Sequence, residues 1–141
     1  MDKQILNQLR YRLTRYRVNA AKKKALEIKL EEAEQLIGLK AISYDGEVGA
    51  SGISKTTENQ SLKLIQAKQE LEYTIAHKGI EIAKIENALS VLNPSEKEII
   101  QLKYIENHKW ETVYYKANKS DKTCKRLERE SLIKMLEILN Y

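Results

Sequence analysis

This chain of 141 residues contains one proline, Pro94. Proline lacks a backbone donor and clashes with the preceding helical turn, so it marks helix starts and is kept out of helix interiors. Pro94 follows Asn93 and is followed by Glu96, the order of a helix start. Asn93 can cap an unpaired amide, Pro94 suits the first helical position, and Glu96 can reach back to the N–H of the cap. On either side of this point nothing prevents long helices. Five glycines and many Leu, Ile, Ala, Glu and Lys residues predict an all-α protein.

Residues 3 to about 40 read as a first helix. Leu6, Leu9, Leu13, Tyr16 and Ala20 recur at steps of three and four. Leu26, Leu30, Ala33 and Ile37 continue that packing seam after a phase change over residues 21–25. A second helix is expected from 58 to about 92, where seven of the ten seam positions 61, 64, 68, 71, 75, 78, 82, 85, 89 and 92 are apolar. At a 1.5 Å rise it is about 50 Å long and needs a packing partner. The first helix, folded back antiparallel, supplies one. Gly79 marks a close crossing or a weak point within it.

Between the two helices, residues 42–57 hold Gly46, Gly49 and Gly52 and read as a loop. No Gly-Lys-Ser/Thr follows them, which excludes a phosphate-binding loop. Thr57 with Gln60 offers a capping box for the second helix. The expected organisation is a coiled-coil-like hairpin over 1–92 with its glycine-containing loop at 42–57. A helix-turn-helix bundle over 93–141 follows it.

That bundle begins at the Asn93 cap with an apolar stripe through Ile99, Ile100, Leu102 (or Lys103) and Tyr104. Asn107-His108-Lys109 interrupts it. A short helix from Trp110 to Ala117 then carries Trp110, Val113, Tyr114 and Ala117 on one side. Asn118-Lys119 forms a turn, and Ser120 caps a last helix whose inward face is Cys124, Leu127, Ser131 (or Leu132), Met135 and Ile138 (or Leu139). Lys122, Lys125, Arg126 and Arg129 remain for its outward face. Residues 116–129 hold six basic and two acidic side chains, a local net charge of +4. A cationic helix braced by a short one is the footprint of a groove-reading element. Lysines outside an ordinary helical bundle would give the same pattern.

The pattern Leu-x-Pro-x-Glu-x-x-Ile-Ile-x-Leu-Lys-Tyr (Leu92–Tyr104), Trp-Glu-x-Val (Trp110–Val113) and Ser-x-x-Thr-Cys-Lys-Arg (Ser120–Arg126) resembles region 4 of bacterial sigma factors. More closely, the chain resembles small phage transcriptional regulators of the RinA/ArpU type, including a glycine-containing linker before Thr57-Glu58-Asn59. The resemblance implies double-stranded DNA as partner. Lys116 and Lys119 would lie on phosphates, Ser120, Asp121, Lys122, Thr123, Lys125 and Arg126 near base edges or phosphates, and Arg129 on the backbone. One departure concerns Tyr114, which stands where the scaffold helix of this motif usually carries a small residue. A single short recognition helix reads few base pairs, so a homodimer or RNA polymerase is expected as co-anchor.

Charge adds to this. The chain carries a net charge of +5, which favours a polyanionic partner. Residues 1–24 hold eight basic side chains against Asp2 alone, and Arg10, Arg12, Arg15 and Arg17 form a second candidate phosphate contact. A solubilising outer face and a basic membrane-surface helix are the competing readings of that run. Carboxylates are expected on outward helix faces, in ion pairs.

Catalytic signals are missing. His77 and His108 lack metal-ligand neighbours, and no nucleophile motif or cofactor-binding sequence occurs. Cys124, the one cysteine, suits a core position in a reducing cytoplasm. No apolar run is long enough to cross a membrane, and the polar, basic start has no signal-peptide pattern. The expectation is a cytoplasmic, non-enzymatic protein without a cofactor that regulates transcription by binding DNA. A coiled-coil adaptor that binds a protein is the alternative.

Overall fold

The computed structural model describes residues 2–46 and 55–141, and the side chains of 2–39 and 59–141. It is all-helical: α1 (Lys3–Gly46), α2 (Lys55–Ser90), α3 (Pro94–Ile100), α4 (Trp110–Ala117) and α5 (Asp121–Leu139). A long helical pair precedes a C-terminal bundle, as the sequence predicts. The link between the long helices is shorter than 42–57, because α1 runs on to Gly46 and α2 begins at Lys55. Nothing in Lys40–Asp45 breaks a helix before the glycine itself. Gly49, Gly52 and the Thr57 capping box lie outside the described residues and side chains.

Two compact units divide the chain, one of Met1–Ala20 with Ile80–Tyr141 and the other of Ala21–Gly79. The first contains the core. Leu6, Leu9 and Leu13 of α1 pack with Ile85, Ala88 and Leu89 of α2 and with Leu132, Met135 and Leu136 of α5. A smaller cluster joins Ile99 and Leu102 to Val113, Ala117, Cys124 and Leu127. Burying the Cys124 thiol raises its pKa and suits it to packing rather than to attack. In the Ala21–Gly79 unit the helices run antiparallel, Lys23 lying against Gly79 and Glu34 meeting Lys68.

The expected capping box is present: Asn93 Oδ1 accepts from the Glu96 N–H at 2.9 Å, and Glu96 Oε1 accepts from the Asn93 N–H at 3.1 Å. Beyond Ile100 the helix widens, so that the Glu106 N–H reaches Gln101 O five residues back at 2.8 Å. Such single-turn widenings interrupt the regular helical register, and neighbours along this stretch enter different cores. Leu102 enters the small cluster, whereas Tyr104 and Ile105 enter the large one. Asn107, at φ 59°, then ends the segment in the left-handed region that asparagine tolerates.

Two carboxylates depart from the expectation that acidic side chains face outward. Glu128 is 5% exposed; it accepts from Arg10 Nε at 2.8 Å and from the Tyr104 hydroxyl at 3.0 Å. Glu96 is 1% exposed and also accepts from Lys134 Nζ at 2.9 Å. A charge in such a place must be met by donors, because burial alone would neutralise it. Burial works against the Glu96 charge, but Lys134 and the Asn93 amide outweigh it and hold this carboxyl below the usual carboxylate range.

Two predictions follow from these pairs. Arg10→Ala leaves the buried Glu128 carboxylate with Tyr104 alone and is expected to cost about 2 kcal/mol in urea unfolding followed by Trp110 fluorescence. Adding Glu128→Gln should recover part of that loss, since the neutral amide needs no counter-charge. Because the Glu96 pKa is lowered on folding, its contribution is complete above its ordinary value of 4.5 and is lost as pH falls through the folded value. Glu96→Gln should therefore lower stability at neutral pH and flatten the decline that sets in as pH falls below its ordinary value of 4.5.

Candidate nucleic-acid interface

The α4–α5 connection takes its geometry from three residues. Asn118 closes α4 at φ 54°, its N–H donating to Tyr115 O, while the Lys119 N–H donates to Tyr114 O, both at 3.3 Å. This paired closure satisfies two carbonyls that the helix end would otherwise orphan. Ser120 then caps α5, its hydroxyl accepting from the Thr123 N–H at 3.2 Å and donating to Thr123 Oγ1 at 2.9 Å. The turn is thus short and fully bonded, and it fixes where α5 starts.

Burial divides α5 into two halves. Over its first ten residues one side is sealed by Cys124, Leu127 and Glu128, and the other leaves Asp121, Lys122, Lys125, Arg126 and Arg129 exposed. From Ser131 onward Ser131, Leu132, Met135 and Leu136 are buried and Ile133, Ile138 and Leu139 half-buried, while Lys134 and Glu137 stay exposed. A helix anchored at its rear presents a cationic front.

The remaining predicted residues stand at the rim. Lys116 is exposed, its Nζ 3.5 Å from His108 Nε2, and half-buried Lys119 donates to Ala117 O at 3.5 Å. Ser120 and Thr123 are occupied by the cap, and the Asp121 carboxylate accepts from the Lys122 N–H at 2.8 Å. Arg126 pairs with Glu130 at 3.2 Å along the same exposed face. Such a surface pair is worth little and yields to a better anion. Tyr114, the unusual residue of the scaffold helix, is half-buried and stacks on Trp110 with ring centroids 5.7 Å apart. Lys103 Nζ lies 5.2 Å from the Trp110 ring centroid.

The N-terminal arginines split into two pairs. Arg10 is bound to Glu128 and donates to Asn7 Oδ1 at 2.8 Å, while Arg12 holds Glu81 with two bonds of 2.8 and 3.1 Å. Neither is available to a phosphate without breaking an internal pair. Arg15 is half-buried and Arg17 exposed, and neither is in an ion pair among the described residues. Nearby, the Tyr16 hydroxyl donates to Glu86 at 2.7 Å, which pushes its pKa up to about 12.

Sequence reading missed Tyr115, Glu128 and Lys134. Tyr115 is 86% exposed beside Lys116 and belongs to the same rim. Glu128 had a legible signal, since it falls on the arc of Cys124, Ser131 and Met135 and only its charge argued for the outside. Lys134 had none, because its carboxylate lies 38 residues away in sequence.

Fold and site together define a helical-hairpin protein with a C-terminal helix-turn-helix bundle and a basic outer helix face. Among the described residues no helix is long and apolar enough to cross a membrane, and no cluster of His, Cys, Asp and Glu gathers as a metal site. Over residues 13–137 the chain matches, and belongs to, the family described as "Protein of unknown function (DUF722)". No curated protein and no solved structure matches it.

The turn gives a direct check. Asn118→Ala keeps a β-carbon in the left-handed region but removes the short polar side chain that tolerates it, and should cost about 1 kcal/mol, whereas Asn118→Gly should stay within about 0.5 kcal/mol of wild type by the same unfolding measurement.

Proposed function

We propose that this chain binds double-stranded DNA through the exposed face of α5 and regulates transcription without catalysing a reaction. The observation that carries this reading is the sidedness of α5: Lys122, Lys125, Arg126 and Arg129 are all exposed, and the opposite side is fixed in two hydrophobic clusters. Glu128 is withdrawn from the surface and matched by Arg10, which leaves Asp121 and Glu130 as the acidic side chains beside these four cations. Phosphate neutralisation by such a face supplies affinity and a steep salt dependence.

In this reading Lys116, Lys119 and Tyr115 contact phosphates beside the turn, as a scaffold helix does when it crosses the backbone. Asp121, Lys122, Lys125 and Arg126 lie nearest base edges, and Arg129 follows the backbone. Ser120 and Thr123 hold the helix start and contact DNA only by exchanging their cap bonds. Arg15 and Arg17 remain candidates for a second contact, whereas Arg10 and Arg12 are assigned to folding. The resemblance to sigma-factor region 4 and to phage regulators of the RinA/ArpU type supports a role at promoters in the cytoplasm. RNA polymerase or a second copy would add the affinity that one short helix lacks.

The test is fluorescence anisotropy with duplexes enriched from random DNA. Affinity should fall steeply with salt, and Lys125→Glu with Arg126→Glu should weaken binding by at least about 100-fold while leaving the circular dichroism spectrum unchanged. Removing two phosphate contacts should also reduce the salt slope by about 2. Retained affinity in the double variant would refute the assignment of α5.

A further inference from the structure

Within the Ala21–Gly79 unit no described side chain is buried. Every core residue among those described belongs to the other unit, and even the seam leucines Leu26, Leu30, Leu64 and Leu71 are only half-covered. The same unit carries a second apolar stripe along α1. Ala21, Ala25, Ile28, Leu36 and Leu39 follow one another at helical steps, with Glu32 in the middle. At 3.6 residues per turn this stripe lies roughly 140° around the helix from the seam. All six residues are exposed, with Ile28 at 52%, Leu36 at 53% and Leu39 at 63%. Two apolar sides on one helix mean two packing partners. Its seam meets α2, and its outer side has no partner within the described residues.

We propose that two copies of this chain pair through this outer stripe, α1 against α1, antiparallel about a two-fold axis beside Ile28. Self-complementarity selects the occupant. An axis between Ile28 and Lys29 sets Ala21 opposite Leu36 and Ala25 opposite Glu32, and brings the two copies of Ile28 together beside the axis. Glu32 is the stripe's one charged member and would be sealed off unless cations met it. In the antiparallel arrangement Lys22, Lys24 and Lys29 of the second copy surround the Ala25 that it faces. All three are exposed, and none is in an ion pair among the described residues, where Lys23 alone of this basic run pairs, with Glu27. A parallel pair would instead set Glu32 on Glu32, so charge excludes it. The pairing does not depend on the DNA reading and is tested without nucleic acid.

The experiment uses the full chain at tens of micromolar. Light scattering should give the mass of a dimer, and Ile28→Glu should raise its Kd at least about 30-fold with unchanged helicity. Glu32→Lys should weaken the dimer, and adding Lys22→Glu and Lys29→Glu should restore it, which a merely structural role for these surface residues would not do. In a Cys124→Ser background, Ile28→Cys should oxidise to a disulfide-linked dimer, while Tyr73→Cys on the outer side of α2 should not. A monomer at these concentrations, or crosslinking through position 73 rather than 28, would overturn the proposal.

Discussion

Glu128 sits 5% exposed between the Arg10 guanidinium and the Tyr104 hydroxyl, and a carboxylate so placed is tolerated only while both donors stay. Those donors come from the start of α1 and from the widened segment after α3. One side chain of α5 therefore requires three distant stretches to assemble together. Hydrophobic contact alone would let Leu6, Leu9 and Leu13 slide against α5, since apolar packing is weakly directional. The ion pair selects one arrangement and, in doing so, fixes how far α5 projects its cationic front.

The local chemistry of the chain was well marked in its sequence. The Asn93 cap, Pro94, the left-handed turn at Asn118 and the Ser120 cap are short-range signals that need no knowledge of the fold. All ten seam positions, nine in α2 and Leu92 just past its end, are buried or half-buried, because a 3–4 repeat records which side faces a partner. The sidedness of α5 was legible for the same reason. The length of α1 was not, because glycines were read as a loop signal while the residues before Gly46 still favour a helix.

What stayed hidden depends on partners remote in sequence. Arg10 and Glu128 are 118 positions apart, and Arg12 and Glu81 are 69 apart. An arginine-rich helix looks like a polyanion site until its carboxylates are located, and two of those four arginines are taken up by internal ion pairs. The widening at Gln101–Ile105 has no local marker either. Leu102 and Tyr104 serve two different clusters there, as Ile99 and Ile100 already do within the regular α3. Tyr114 illustrates the converse: a residue too large for its usual place is accommodated by stacking on Trp110 at the edge of the small cluster.

Uneven burial gives a physical reason to separate the duties of the two units. The unit holding α5 owns nearly all of the core and its ionic latches, so the basic face is carried on a rigid support. Preorganisation of that kind reduces the entropy lost when lysines and arginines are held against an anion. Among its described residues the Ala21–Gly79 unit has exposed apolar side chains and no buried ones, so its helices are stabilised further by any partner that covers them. If α5 reads DNA as proposed, presenting it twice would help most, because linked contacts multiply their effective concentration. Rigidity where the charge lies, together with exposed apolar surface elsewhere, is the distribution that the proposed pairing would use.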